Sequence, residues 1–204
     1  MNIEEQGTGL YVPNYSNGYV HPDLAPFDAA HLIAALIARF DPDCDREGLA
    51  DTPRRWLSAM AEMTDGYSQD PASVLGTTFE VGYDAMVVVK DIPFASLCEH
   101  HLLPFHGHIS IGYIPTGRVV GLSKLARLVE VFARRFQIQE RLTAQIADTI
   151  AAVVEPQGVG VVCRAFHTCM ALRGVRKEAE MVTSTLYGVL RAEPEARAEF
   201  MALA

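Results

Sequence analysis

The sequence predicts an α+β fold in which two paired helices cover an antiparallel four-stranded sheet. Apolar residues recur at helical spacing in two N-terminal segments, then at strand spacing, then at helical spacing again, and at strand spacing near the C-terminus. This order of helices, two strands, two helices and two strands is typical of α+β domains, not of alternating α/β folds. Half of the 204 residues are hydrophobic, which is enough to form a buried core.

An arm and two helices are predicted at the N-terminus. Residues 1–26 are rich in Gly, Asn, Pro and Tyr without periodicity, so we expect a flexible or loosely docked arm. Asp28 is a candidate N-cap for a helix that continues to Phe40. A second helix begins near Thr52 and Pro53, because proline is favoured at the first helical position.

The main domain is predicted to comprise residues 76–204, after an N-terminal helical extension of residues 27–75. Its predicted elements are strands at 85–89, 106–113, 158–170 and 181–190, helices at 123–136 and 139–154, and a short C-terminal helix from Pro194. A turn signal, Ile-Pro-Thr-Gly at 114–117, ends the second strand.

The charge and the distribution of apolar residues exclude several classes of protein. The formal net charge is −8, which argues against a general nucleic-acid binder, because such proteins carry a basic excess or a basic face. No apolar run reaches the roughly 18–20 residues that span a bilayer. The N-terminus has no basic region followed by an apolar region, as a secretory signal would. We therefore expect a cytoplasmic protein without a membrane partner.

Four cysteines are present, and the histidines near them favour metal chemistry over disulfides. Cys98 and His101 are three residues apart, so in a regular strand their side chains would point to opposite faces. They can bind one ion only if the chain turns there, and the Leu-Leu-Pro at 102–104 is compatible with a bend. A Cys-x-x-His pair is half of a zinc site.

The predicted strand at 158–170 supplies the other half of the site. His167 and Cys169 lie on one face of that strand, roughly 6.5–7 Å apart along the backbone. Cys169 can then complete the ligand set, while His167 stands beside the metal with a free imidazole. Cys163 shares this face but lies about 20 Å from Cys169 at a rise of ~3.3 Å per residue, so we assign it to the core.

Together, Cys98, His101 and Cys169 predict a catalytic zinc site, because three protein ligands leave the fourth position open to water. Zinc lowers the pKa of its bound water to about 7. His100 and His167 remain to move protons and to bind the substrate. Two alternatives stay open: each residue taken singly is commonly a packed core residue, and His100 could close the site as a fourth, structural ligand.

A group of cations predicts a phosphate site. Lys124 and Arg127 share one helix face, and Ser123 supplies a hydroxyl at the N-terminus of that helix. Arg173 follows Cys169 by four residues, and guanidinium and ammonium groups are the usual partners of phosphate oxygens. The alternative, solvated surface cations, stays open for each of them. Three other arginines are assigned to the solvated surface: Arg134, Arg135 and Arg141.

Carboxylates near these residues have two interpretations each. Gln139 and Glu140 open the second paired helix, and a carboxylate can accept two hydrogen bonds from the adjacent N–H groups of a guanine edge. On the residues alone we prefer a first-turn acid that favours the helix dipole. Glu99 orients a metal ligand from the second coordination shell, or it makes a structural hydrogen bond or faces solvent.

These residues, in this order, resemble the GTP cyclohydrolase I family. The matching stretches are Cys-Glu-His-His-Leu-Leu-Pro-Phe at 98–105, Ile-Gly-Tyr-Ile-Pro at 111–115, Gly-Leu-Ser-Lys-Leu-Ala-Arg at 121–127, Gln-Glu-Arg-Leu-Thr at 139–143, His-Thr-Cys-Met at 167–170 and Arg-Gly-Val at 173–175. The resemblance extends over roughly residues 28–204 and leaves the N-terminal arm outside. It implies the tunnelling fold and a homodecamer of two stacked rings of five, with active sites at subunit interfaces.

The resemblance also implies roles for individual residues. Zinc is held by Cys98, His101 and Cys169, and its water attacks C8 of the guanine ring of GTP. His167 transfers protons at N7, and His100 lies near the ribose. The residues that hold the triphosphate and the guanine are Ser123, Lys124, Arg127 and Arg173, and Gln139 with Glu140. C8 leaves as formate, and the product is 7,8-dihydroneopterin triphosphate, which is the first step of pterin and folate biosynthesis.

Two rival functions remain in view. Another enzyme of the tunnelling fold, such as a nitrile reductase acting on deazaguanine, uses a cysteine nucleophile without zinc, and the presence of two Cys/His motifs at 98–101 and 167–169 counts against it. A non-catalytic scaffold stabilised by zinc would have a fourth protein ligand and would unfold when the metal is removed.

Overall fold

A computed structural model describes residues 28–76 and 78–204 of the chain. The chain divides into two compact units, Met1–Ala59 and Met60–Ala204. The predicted arm of residues 1–26 lies outside the described residues, and the predicted domain boundary after residue 75 stays a prediction. No helix in the described ranges is long and apolar enough to cross a membrane.

The helices and strands follow the predicted order. The α-helices of the described residues are α1 (Ala29–Phe40), α2 (Thr52–Met63), α3 (Pro71–Val74), α4 (Leu122–Ala133), α5 (Gln139–Val154), α6 (Thr168–Ala171), α7 (Val189–Ala192) and α8 (Pro194–Leu203). The strands are β1 (Thr78–Glu80), β2 (Val87–Cys98), β3 (Pro104–Ile114), β4 (Arg118–Val120), β5 (Phe136–Gln137), β6 (Gly158–His167) and β7 (Glu180–Gly188). The Asp28 N-cap is confirmed, because its carboxylate accepts a hydrogen bond from the N–H of Ala30.

Four long antiparallel strands form the main sheet, in the order β2-β3-β6-β7. The predicted α+β class is confirmed, and the sheet has one strand more than the predicted four. A two-residue strand, β5, adds to the β2 edge in parallel orientation. A separate two-stranded ribbon pairs β1 with β4. Sequence periodicity missed these three short strands because two or three residues are too few to show a period.

One face of the sheet is covered by α4 and α5, as predicted. The two helices and the strands beneath them share one hydrophobic core. Its fully buried members include Leu125, Leu128, Ile146, Ile150, Ile109 and Ile111. The prediction that Cys163 belongs to the core is confirmed, and burial raises the pKa of its thiol to about 12.

The C-terminal helix covers part of the opposite face. Phe200 of α8 is fully buried. Its ring lies over two glycines of adjacent strands, Gly112 and Gly160, where an added Cβ would come within 2.6 Å of the ring. The glycines therefore make room for the aromatic anchor of α8.

Two strands and one helix end earlier than the sequence pattern predicts. Strand β6 stops at His167, and the next four residues form the single helical turn α6. Strand β7 ends at Gly188, whose φ of 58° turns the chain into α7. Helix α4 ends at Ala133 because Phe136 and Gln137 pair with β2. The apolar pattern of the sequence continues beyond the last hydrogen-bonded residue of each element. The predicted elements are therefore longer than the observed ones.

Candidate metal centre and active site

A turn after β2 brings Cys98 and His101 together. The N–H groups of Leu102 and His101 both donate to the carbonyl of Cys98, at 2.8 and 3.3 Å, and the N–H of Cys98 donates to the carbonyl of Leu103 at 2.9 Å. Leu102 has a left-handed φ of 55°, which few residues other than glycine adopt. Nδ1 of His101 consequently lies 3.7 Å from Sγ of Cys98. The chain therefore turns where the predicted zinc site requires a turn.

Cys169 approaches the same turn from the end of β6. Phe105 at the start of β3 is paired with His167 at the end of β6. The hydroxyl of Thr168 donates to the carbonyl of Pro104 at 2.5 Å and anchors the first residue of α6 beside β3. The prediction that Cys169 shares a strand face with His167 is wrong, because Cys169 lies on α6. The helical turn still directs its thiol towards the Cys98 turn.

The structure gathers Cys98, His101 and Cys169 into one group whose ligand atoms lie within 4.8 Å of one another. Two sulfurs and an imidazole nitrogen are a donor set that favours zinc and other thiophilic metals. Burial raises the pKa of the Cys169 thiol, and the nearby Cys98 raises it further. A divalent cation at this point would counteract both effects, since it stabilises thiolates. The three residues could therefore hold a metal ion.

Two further predicted residues border this group. Arg173 donates to Nε2 of His101 at 3.1 Å and to the carbonyl of Cys169 at 3.3 Å. Nδ1 of His100 lies 4.0 Å from Sγ of Cys98, and the His100 side chain is 64% exposed. His100 thus faces the solvent side of the group and lies outside the three-residue cluster.

Glu99 and Arg141 tie the turn after β2 to helix α5. The guanidinium of Arg141 pairs with the carboxylate of Glu99 and donates to Oε1 of Gln137 at 3.0 Å. The N–H of Glu99 donates to the carbonyl of Gln137 at 3.0 Å. Arg141 was assigned to the solvated surface; its side chain is 39% exposed, and it also makes these bonds. Glu99 has the structural role that was one of its two interpretations.

The assignment to the solvated surface is wrong for Arg135, whereas the side chain of Arg134 is 35% exposed and pairs with exposed carboxylates. Arg134 pairs with Glu130 at 2.7 Å, and that hydrogen bond raises the pKa of its guanidinium. Arg135 donates to the carbonyl of Gly66 at 2.8 Å and to that of Val131 at 2.9 Å, and burial lowers its pKa. Both arginines satisfy main-chain or side-chain acceptors around the C-terminus of α4.

His167 is held between two side chains. Its ring stacks on Phe105, with the centroids 4.6 Å apart and the planes 5° from parallel. On its edge, Nε2 lies 2.9 Å from Oε1 of Gln139. Burial lowers the pKa of His167, and the charge of Glu140 partly offsets this effect. The imidazole is therefore neutral at pH 7 and can accept a proton.

The two residues predicted to bind guanine have different surroundings. Glu140 is exposed, and its charge acts on His167. Gln139 is 1% exposed, and its Nε2 lies 3.0 Å from the carbonyls of both Cys163 and Met181. Sequence analysis missed this support for His167, because a contact between the first residue of a helix and two strands has no local pattern.

The predicted phosphate residues Ser123, Lys124 and Arg127 lie in the first two turns of α4. Val120, the last residue of β4 and two residues before α4 begins, donates its N–H to the hydroxyl of Tyr113 at 3.0 Å. Tyr113 is paired with Val87, the first residue of β2, whereas Cys98 is the last residue of β2. The start of α4 therefore lies at the opposite end of β2 from Cys98.

The C-terminal end of α4, in contrast, lies near the metal group. The carbonyl of Arg135, just beyond α4, accepts a hydrogen bond at 3.3 Å from Ser96, two residues before Cys98. Helix α4 has 12 residues, and at 1.5 Å per residue it is about 18 Å long. Within one chain, the phosphate residues therefore lie roughly 9–15 Å along α4 from the end that is near the metal group.

Comparison with known proteins gives a consistent result. The family model described as GTP cyclohydrolase I matches residues 29–204. Three relatives named GTP cyclohydrolase 1 are similar to the chain over most of its length. The protein from Wolinella succinogenes is 56% identical over 161 residues, which are 78% of this chain and 86% of that protein. The one from Dehalococcoides mccartyi is 52% identical over 82% of this chain and 90% of its own. The one from Brucella abortus is 45% identical over 98% of this chain and 95% of its own.

Proposed function

The chain belongs to the GTP cyclohydrolase I family, and from that premise we propose that it hydrolyses GTP at C8 of the guanine ring. The products are formate and 7,8-dihydroneopterin triphosphate, so the reaction is the first step of pterin and folate biosynthesis. The observation that carries this proposal is the group formed by Cys98, His101 and Cys169, with the neutral imidazole of His167 two residues from Cys169.

The metal of this site is zinc. Two thiols and one imidazole suit zinc, and three protein ligands leave a coordination position for water or substrate. Cys98, His101 and Cys169 would hold the zinc, which would supply a bound water with a pKa lowered to about 7.

Proton transfer is the task of His167. When a bond between C8 and a ring nitrogen breaks, the nitrogen keeps the bonding electrons and needs a proton. In this proposal that nitrogen is N7. A neutral imidazole stacked on Phe105 takes up a proton and passes it on without moving its ring. His100, which is exposed beside the Cys98 turn, faces the ribose.

Substrate recognition uses residues of two regions. Glu140 accepts hydrogen bonds from the guanine edge, since it is exposed and its charge acts on His167. Arg173 already contacts His101 and Cys169, so it binds a phosphate near the metal.

The remaining phosphate residues come from a second copy of the chain. Ser123, Lys124 and Arg127 lie roughly 9–15 Å along α4 from the metal end of the same chain. A symmetric oligomer that places the start of one α4 beside the neighbour's metal group would complete the site. We assign the oligomer as a homodecamer of two stacked five-membered rings.

The rival function is a zinc-stabilised scaffold without activity. It requires a closed site, and His100 is the residue that would close it. The 64% exposure of His100 and its place outside the cluster favour the open, catalytic arrangement.

The test of the proposed function is GTP turnover against zinc content. Purified protein is incubated with GTP, and formate release and pterin fluorescence after oxidation are measured. We expect activity to follow the zinc content and to vanish in Cys98→Ser and Cys169→Ser. Cys44→Ser is the matched control, because Cys44 lies in the first unit and outside the metal group. It should keep wild-type zinc and turnover.

His167→Ala separates catalysis from metal binding. We expect it to keep its zinc and to lose about 10²–10⁴-fold in kcat, the usual contribution of a general acid or base. Normal turnover of GTP by His167→Ala would remove His167 from the mechanism. Zinc-loaded wild-type protein that folds but releases no formate would favour the scaffold.

A further inference from the structure

A closed ring of hydrogen bonds lies behind the catalytic imidazole, at Gln139. The hydroxyl of Thr143 donates to the main-chain carbonyl of Gln139 at 2.7 Å. The hydroxyls of Thr143 and Thr183 are 2.7 Å apart. Because Thr143 has already used its one proton, Thr183 is the donor of that bond. Thr183 in turn lies 3.2 Å from Nε2 of Gln139. Because the two hydrogens of Nε2 also serve two carbonyls, Thr183 shares one of them, and the ring starts and ends at Gln139.

This ring and two carbonyls fix the orientation of the Gln139 amide. Nε2 lies 3.0 Å from the carbonyl oxygens of Cys163 and Met181, which can only accept hydrogen bonds. The opposite amide orientation would place Oε1 against both oxygens in a site that is 1% exposed. Buried acceptors that face each other without a proton are costly. Oε1 of Gln139 must therefore point to His167.

The fixed amide determines which nitrogen of His167 carries the proton. Oε1 of Gln139 lies 2.9 Å from Nε2 of His167 and can only accept. Nε2 therefore carries a hydrogen, and the neutral ring has its lone pair on Nδ1. Stacking on Phe105 prevents the ring from turning over without a cost in packing. Both N–H groups of the Gln139 amide are already used, so none is free to bind a guanine.

We infer that Gln139 is a positioning residue that holds His167 in its Nε2–H tautomer, so that Nδ1 is the nitrogen that exchanges protons with the substrate. This inference deepens the proposed function and rests on it for the identity of the substrate. Nδ1 takes the proton that the attacking water loses, which gives the imidazolium, and the Nε2–H bond to Gln139 is kept. The same proton then leaves Nδ1 for the purine nitrogen, and the ring returns to its neutral tautomer.

The wild-type protein provides the first test. Zinc-loaded protein with ¹⁵N-labelled histidine is studied by solid-state NMR without GTP, and the spectrum of His167→Asn identifies the His167 signals. We expect a protonated Nε2 and an unprotonated Nδ1. A protonated Nδ1 with a bare Nε2 would overturn the inference.

Variants provide the second test. In Gln139→Leu we expect signals of both His167 tautomers and a kcat lowered about 10- to 100-fold, as for other residues that orient a catalytic group. KM for GTP should stay within about threefold, because the amide does not touch the substrate. A raised KM with an unchanged kcat would instead identify Gln139 as a guanine contact and overturn the inference.

Thr183 supplies a matched pair of variants that keeps the test decisive if Gln139→Leu does not fold. Thr183→Val removes the hydroxyl of the ring at nearly constant shape, and Thr183→Ser keeps it. We expect Thr183→Val to lose roughly 3- to 10-fold in kcat, less than removal of Gln139 itself, and Thr183→Ser to stay within about twofold of wild type. Equal kcat values for Thr183→Val, Thr183→Ser and wild type would contradict the inference. If the wild type releases no formate from GTP, the proposed function fails, and the NMR spectrum still decides the tautomer.

Discussion

The separation of the metal group from the cations of α4 predicts that two inactive variants restore each other's activity. One variant, Cys98→Ser, lacks a metal ligand. The other, Lys124→Ala/Arg127→Ala, lacks the cations at the start of α4. Those cations lie roughly 9–14 Å along the helix from the metal end of their own chain. If each site combines the metal group of one copy with the cations of another, a mixed oligomer contains some intact sites.

The expected recovery follows from counting. In a 1:1 mixture that assembles at random, each interfacial site draws its metal group and its cations from two independent chains, so about one quarter of the sites are intact. The two variants carry different affinity tags and are co-expressed, and doubly tagged oligomers are purified and assayed for formate release from GTP. We expect activity of about a quarter of the wild-type value per site, against nearly none for either variant alone.

The control is a mixture of Cys98→Ser with Cys169→Ser. Both changes affect the same metal group of the same chain, so no arrangement of copies gives an intact site, and we expect no recovery. Absence of recovery in the Cys98→Ser and Lys124→Ala/Arg127→Ala mixture, with doubly tagged oligomers in hand, would refute the shared site. It would mean that one chain folds its own α4 cations onto its own metal group in the active state.

Two further predictions concern stability and pH. Gly66→Ala should lower the free energy of unfolding by about 1–3 kcal/mol, because its Cβ would lie 2.2 Å from the carbonyl oxygen of Val131. Thermal unfolding measures this, with Gly48→Ala as control, since a Cβ at Gly48 meets nothing within 4 Å. For His167, burial lowers the pKa, so in an NMR titration its imidazole should become charged only below pH 6.5. A His167 titration centred above pH 6.5 would contradict a neutral, buried imidazole.

Most of the fold could be predicted because its periodic elements are long. Helix α5 has the predicted bounds, since its 16 residues keep one apolar face from Gln139 to Val154. Strand β2 was predicted only over 85–89, yet it continues to Cys98. A bulge between Val89 and Ile92, with Asp91 at a φ of 56°, interrupts the alternation there. The alternation of buried and exposed residues restarts after the bulge. A prediction based on one continuous period therefore ends the strand at the bulge.

The metal group was predictable in composition but not in geometry. The spacing identified Cys98 and His101 as a pair that needs a turn. The turn depends on the left-handed φ of Leu102, which cannot be predicted from the sequence because leucine rarely adopts it. Cys169 was predicted in the right place for the wrong reason, since its helical turn α6 took the place of a strand. The Gln139 amide could not be predicted, because its partners Cys163 and Met181 are 24 and 42 residues away.

The register of the sheet explains why these distant residues meet. Leu97 is paired with Pro104, and Phe105 with His167. The end of β2, the start of β3 and the end of β6 therefore lie side by side at the same end of the strands. Helix α5 begins near this end of the strands, where Gln139 contacts β6. A shift of one residue between β3 and β6 would send His167 to the opposite face, away from Gln139 and Phe105. The same register leaves the start of α4 at the far end of β2 from the proposed metal centre. This separation is the reason we propose that a neighbouring copy supplies the phosphate residues of each site.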